Sequence, residues 1–184
     1  MQNDDELYRL HLAGDTVSYD ALMLRYGDSL TLYLNGYLHN MQDAEDLMIE
    51  AFARIMVKKP KISEGNFKAY LFKTGRTLAS RFHLVKSRID TFSLEDMLTE
   101  LADSTCLENM LRDEEKKRIL HLCLDRIDPV VREALWLFYF ENLSYVQAAE
   151  VMGVSVKKID NLLTKGKRLL KTELEKEGIT HADE

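Results

Sequence analysis

An all-α fold of two small helical domains joined by an acidic linker, the second a helix-turn-helix, is what this sequence predicts. Three observations predict it. The 184 residues include only 8 glycines and 2 prolines, too few turn formers for a fold of many short strands. Apolar side chains recur at spacings of three and four through both halves of the chain. Between the halves, residues 90–115 carry nine acids against Arg112 alone and show no period, as a connector does. The expected boundaries are 1–89, 90–115 and 116–184.

The class of protein is bounded by what the chain lacks. Two cysteines, Cys106 and Cys123, are too few for a disulfide scaffold and suggest a reducing compartment. The first ten residues are acidic with no apolar core, and no apolar run approaches the roughly 20 residues that span a bilayer. A cytoplasmic protein without membrane insertion is expected. The five histidines are scattered, so no metal site is proposed. No phosphate-cradling glycine loop and no catalytic constellation is present, so the expectation is no enzyme and no cofactor.

In the first half, Leu7, Leu10 and Leu12, then Tyr19, Leu22, Leu24 and Tyr26, recur as helical faces, and Gly36 and Asn40 interrupt the pattern. Asp43 is placed to cap a helix over 44–56, with Leu47, Ile49, Phe52, Ile55 and Met56 at helical spacing. A loop with Pro60 and Gly65 follows, and a long helix runs from about Phe67 to Lys86. In the second half, Pro129 suits the first turn of a helix that reaches about Phe140.

Charge is distributed unevenly. The net charge is −6, yet residues 57–88 carry nine Lys or Arg against Glu64, and residues 156–171 carry six against Asp160. Compact basic blocks inside an acidic chain are what a polyanion contact requires, because each neutralised phosphate releases counterions.

The second block lies in the more specific signal. Ser144 and Gln147 have capping-box spacing, Ala149 is small where helices cross, Gly153 permits a tight turn, and Ser155 opens a second helix. Val156, Ile159, Leu163 and Leu170 form the expected inward stripe. Lys157, Asn161, Thr164 and Arg168 lie opposite, flanked by Lys158 and Lys165. Amide and hydroxyl groups can read base edges in the major groove while the cations hold phosphates.

The first block lies on the 67–86 helix. Phe67, Tyr70, Leu71, Thr74, Leu78, Phe82 and Val85 share one third of its circumference, and Lys68, Lys73, Arg76, His83 and Lys86 take the other side. Phe72 falls among the cations, where an aromatic could stack on an unpaired base or pack on another helix. Arg81 points toward the apolar side. The preceding helix has the opposite sign, with Asp43, Asp46 and Glu50 on one face, either solvated or a docking surface for a basic partner.

Taken together, DAEDLMIEAFARIM (43–56), FKAYLFKTGRTLASRFHLVKSR (67–88) and LSYVQAAEVMGVSVKKIDNLLTKGKRLLK resemble a bacterial RNA polymerase sigma factor of the sigma-70 family. With two modules and only a linker between them, the chain is similar to the extracytoplasmic-function class. The resemblance implies that Asp43, Asp46 and Glu50 dock on the clamp helices of the largest subunit of RNA polymerase core. It implies that Lys68, Phe72, Lys73, Arg76 and Lys86 serve −10 recognition and melting of promoter DNA. The carboxy-terminal module would read the −35 element through Ser155, Lys157, Lys158, Asn161, Thr164, Lys165 and Arg168 and meet the flap of the second-largest subunit. The linker would thread the RNA channel, and an anti-sigma factor is an expected partner. The chain departs from the family pattern at Gly75, Thr77 and Arg81. The alternative is a stand-alone helix-turn-helix regulator, which leaves the order of the two motif blocks unexplained.

Overall fold

The computed structural model describes residues 2–86, 119–120 and 122–178. The acidic segment 90–115 with Cys106, and the side chain of Lys86, lie outside the described residues. Helix α1 (Asp4–Leu12) opens where the Asn3 side chain accepts the Glu6 N–H at 2.8 Å, with three acids in its positive first turn. Helix α2 (Val17–Leu38) runs unbroken through the buried Gly36 and ends at His39, which is left-handed at φ 49°. Helix α3 (Met41–Lys58) begins three residues earlier than spacing predicted. Its cap is Asn40, whose side chain accepts the Asp43 N–H at 3.0 Å, so Asp43 sits inside the first turn. Helix α4 (Phe67–Lys86) follows the loop.

In the second half, a helical turn at 122–125 leads to α5 (Pro129–Leu135), capped by the Asp128 carboxylate on the Val130 and Val131 N–H groups. The predicted continuation to Phe140 is a π-helical turn, Trp136–Phe140, closed by the Glu141 N–H on the Trp136 carbonyl at 3.2 Å. The wider turn stacks Trp136 on Phe140 at 4.5 Å and brings Glu141 inward, where it is 4% exposed. Helix α6 (Tyr145–Met152) carries the expected capping box, ends at Gly153 (φ 67°), and hands over to α7 (Val156–Lys176) through the Ser155 cap. The seam of α7 falls on Ile159, Leu162, Leu163 and Gly166. Val156 is exposed in the first turn, before the helix reaches its neighbours, and so leaves the expected stripe.

The buried apolar side chains of both halves form one continuous cluster. Helix α4 is its centre: it packs on α2 and α3 on one side and on α6 on the other. An amphipathic pattern anticipates one buried face, and α4 has two. Phe72, expected among exposed cations, is therefore wholly buried, its ring 5.2 Å from Tyr33. Arg81, in contrast, is exposed.

Two glycines set how closely the helices cross. A Cβ on Gly75 would stand 3.0 Å from Leu30 Cδ1 and 3.3 Å from Leu34 Cδ2, and one on Gly166 would stand 2.9 Å from the Leu135 side chain. Alanine is intrinsically the better helix former by about 1 kcal/mol. Overpacking a fitted crossing costs about 1–3 kcal/mol. We expect Gly75→Ala and Gly166→Ala each to lower the urea midpoint; a rise would show that helix propensity outweighs the crossing.

Candidate nucleic-acid interface

The outer face of α7 is built as the spacing predicts. Ser155 is spent on the cap, accepting the Lys158 N–H at 3.2 Å. Lys157, Lys158, Asn161, Thr164, Lys165 and Arg168 are all exposed, so six polar or cationic side chains stand together on one face. Lys167 lies 5.9 Å from the ring centroid of Tyr139, which is half-exposed at the end of the π turn.

Helix α4 differs from expectation in what meets its cations. Lys68 Nζ lies 2.8 Å from the Glu141 carboxylate and donates to the Glu141 carbonyl at 2.7 Å, with the Tyr26 and Phe72 rings each 5.5 Å away. Lys73 Nζ lies 3.1 Å from Glu150. Arg76 Nε donates to Glu133 Oε1 at 2.8 Å. The same oxygen accepts the Tyr33 hydroxyl at 2.7 Å and the Tyr37 hydroxyl. Beside them, the Gln147 amide donates to the Gly65 carbonyl at 2.8 Å and to Asn66 Oδ1 at 3.2 Å. Three basic residues singled out for nucleic acid thus each hold a carboxylate of the carboxy-terminal half.

These pairs are unequal. Lys73 and Glu150 are 46% and 43% exposed, and such a surface pair contributes about 0.2–1 kcal/mol. Glu133 is 3% exposed, and stripping partners from a buried charge costs about 3–5 kcal/mol. Burial works against the charge of Arg76, but the Glu133 carboxylate and the two phenols outweigh it and hold the guanidinium above its usual range. Burial, then Glu133, raises Tyr33 and Tyr37 well above ordinary phenols.

Part of the basic surface stays open. A groove of about 310 Å³ between α3 and α4 is lined by Arg54, Lys58, Lys73, Thr77 and Arg81 among others. Arg54 escaped the sequence reading because it stands in an acidic helix, where Glu50 accepts its Nε at 3.0 Å, and Arg81, read as facing the apolar side, is exposed at this groove instead. Glu133 and Glu141 also escaped it, although a lone acid between Val131 and Ala134–Leu135 is a signal of a partnered buried carboxylate. On α3, Gln42, Asp46, Ile49, Ala53 and Met56 follow one outward line by spacing. Asp46, Ile49 and Met56 on it are exposed, so Ile49 and Met56 are not core as spacing suggested. Asp43 and Glu50 lie half-buried at its flank.

Comparison with known proteins gives one answer for both halves. Residues 22–89 match the family described as sigma-70 region 2, and residues 117–170 match sigma-70 region 4. The chain is 26% identical over 160 residues to the ECF RNA polymerase sigma factor SigE of Mycolicibacterium smegmatis, covering 86% of this chain but 62% of that protein. It is 23% identical over 155 residues to the ECF RNA polymerase sigma factor SigM of Bacillus subtilis, covering 84% and 94%. The fold is similar to that of the sigma factor RpoE in complex with the anti-sigma factor NepR from Bartonella quintana (TM-score 0.58, 19% identity, 85% of this chain and 96% of that one).

The phenols around this site dictate a pH dependence. Tyr8 is pushed up to about 12 by burial, and Tyr33 and Tyr37 are raised for the reasons above. Unfolded phenols ionise near pH 10. A raised folded value means that stability is fully present below about pH 10 and is lost as pH rises beyond it. The urea midpoint should hold to about pH 9.5 and fall toward pH 11.5, with native-state ultraviolet titration showing late-ionising phenols. A midpoint that stays flat over that range contradicts the burial of these hydroxyls.

Proposed function

Because the chain belongs to the sigma-70 family, in its extracytoplasmic-function class, we propose that it is the dissociable specificity subunit that directs RNA polymerase core to promoters. The observation that carries this reading is the presence, in order and in one chain, of the region 2 and region 4 matches with an exposed cation-and-amide face on the second helix of the Gly153 turn. Such a subunit needs no hydrolysis: duplex opening is drawn by binding energy to the unpaired strand.

Each surface then has a task. The α3 line of Asp46, Ile49 and Met56, flanked by Asp43 and Glu50, docks on the clamp helices of the largest subunit; its charge steers the encounter and its apolar side chains are buried by it. The α7 face reads the −35 element in the major groove. Lys157, Lys158, Lys165 and Arg168 hold phosphates, while Asn161 and Thr164 reach base edges. The α4 face, with Lys68, Phe72, Lys73, Arg76 and Lys86, takes the −10 strand, and the groove of Arg54, Lys58, Thr77 and Arg81 extends it with hydroxyls and further cations. Contact with the flap of the second-largest subunit falls to the carboxy-terminal module, and an anti-sigma factor is the expected inhibitory partner.

Titration against sigma-free bacterial core polymerase tests the reading. Tight binding is expected, weakened at least tenfold by Asp46→Arg; a folded protein that does not bind core overturns it. Lys157→Ala with Lys165→Ala should weaken binding to a −35 duplex and reduce the slope of log K against log salt by about one per lysine. Unchanged binding at every salt concentration removes the role assigned to α7.

A further inference from the structure

Helix α1 lies before the region 2 match, which begins at residue 22, yet it holds the loop between α3 and α4 at both ends. That loop, residues 59–66, passes twice through left-handed backbone, at Lys59 (φ 45°) and at Gly65 (φ 72°). The Tyr8 hydroxyl donates to the Pro60 carbonyl at 2.7 Å, just past the first of these points. At the second, the Asp5 carboxylate accepts the Gly65 N–H with both oxygens, at 2.9 and 3.0 Å. Asp5 and Tyr8 are one helical turn apart and share a face of α1. Helix α1 is itself fixed. The Asp4 carboxylate accepts from Arg25 and from the Tyr26 hydroxyl on α2, and the Tyr8 ring lies 5.3 Å from Phe67 at the start of α4. Between α1 and the loop runs a cleft of about 480 Å³ lined by Arg9, Leu12 and Ile62 among others. The outer side chains of the loop, Lys59, Lys61 and Ser63, are exposed and follow Lys58, which lines the groove assigned above to the −10 strand.

We infer that Asp5 and Tyr8 are positioning residues for −10 recognition: they hold the 59–66 loop in one shape, in which Lys59, Lys61 and Ser63 meet the strand beside the α3–α4 groove. This rests on the assignment of that groove to the −10 strand. A free loop would give up its backbone freedom on meeting DNA and could adjust to a right or a wrong base alike. Held in advance, it meets a wrong base with its groups misplaced, which widens the difference between bases. Folding alone does not ask for these bonds. The charge of Asp5 is already favoured in the first turn of α1, and water could satisfy the Gly65 N–H on an exposed turn. The Gln147 amide meets the same turn from the carboxy-terminal half, on the Gly65 carbonyl, so the contribution of α1 is read with Gln147 unchanged.

Holoenzyme assembled from the full chain and sigma-free core polymerase provides the test. The parent first selects promoters from a library randomised at the −10 element. Open-complex formation is then compared between the selected sequence and its single-base variants. Asp5→Ala, and Tyr8→Phe, which keeps the ring on Phe67, should each lower that discrimination by about fivefold or more. Affinity for core and for a −35 duplex should stay within about twofold of the parent. Asp5→Asn, which keeps an acceptor for the Gly65 N–H, should recover most of the discrimination. A purely structural defect reduces the amount of active holoenzyme and scales all promoters together, so it leaves the ratio unmoved. Amide hydrogen exchange at Gly65 in the free chain checks the tie itself, and exchange about tenfold faster is expected in Asp5→Ala. Parental exchange at Gly65, or faster exchange with parental discrimination, overturns the inference. A parent holoenzyme that selects no −10 sequence defeats the assignment of the groove to DNA, and with it the role given to Asp5 and Tyr8, whatever the exchange shows.

Discussion

One carboxylate oxygen ties the two halves together. Glu133 Oε1 accepts from Tyr33 and Tyr37 on α2 and from Arg76 on α4, while its backbone belongs to α5. A buried charge is tolerated only when its lone pairs are used, so the partners must arrive together or the carboxylate is left in apolar surroundings. That requirement fixes several things at once. Helix α4 must lie across α2 closely enough for Arg76 to reach past Tyr37, which is the crossing that Gly75 allows against Leu30 and Leu34. Helix α5 must present Glu133 at that junction, and its own position is set by the Gly166–Leu135 contact with α7. Two helix crossings and one hydrogen-bond cluster therefore determine one another.

What the sequence made legible was local. Caps, turns and the outward face of α7 follow from rules spanning three or four residues, and Ser144, Gln147, Gly153 and Ser155 do in the structure what their spacing implies. The order of the charged blocks was equally readable. What escaped was everything that depends on a second buried face. Helical periodicity assigns each helix one inward stripe, so it put Phe72 outside and Arg81 toward the core. With α2 and α6 on opposite sides of α4, the first is enclosed and the second left in solvent. The same limit hid Gly75, which a propensity scale reads as a weakness in α4 and the crossing with α2 requires. It also hid the π turn, because an aromatic run fits α and π spacing equally until Leu143 N–H claims the Leu137 carbonyl at 3.0 Å.

The chemistry of the interface explains why it is polar at all. Two halves joined by apolar surface alone would separate only at the cost of exposing that surface, and nothing in solution could take its place. Carboxylates instead satisfy the cations of α4, giving Lys68, Lys73 and Arg76 partners that apolar surface could not supply. A net charge of −6 acts in the same sense. It repels polyanions from the molecule as a whole and leaves attraction only where basic side chains are concentrated, as on the outer face of α7.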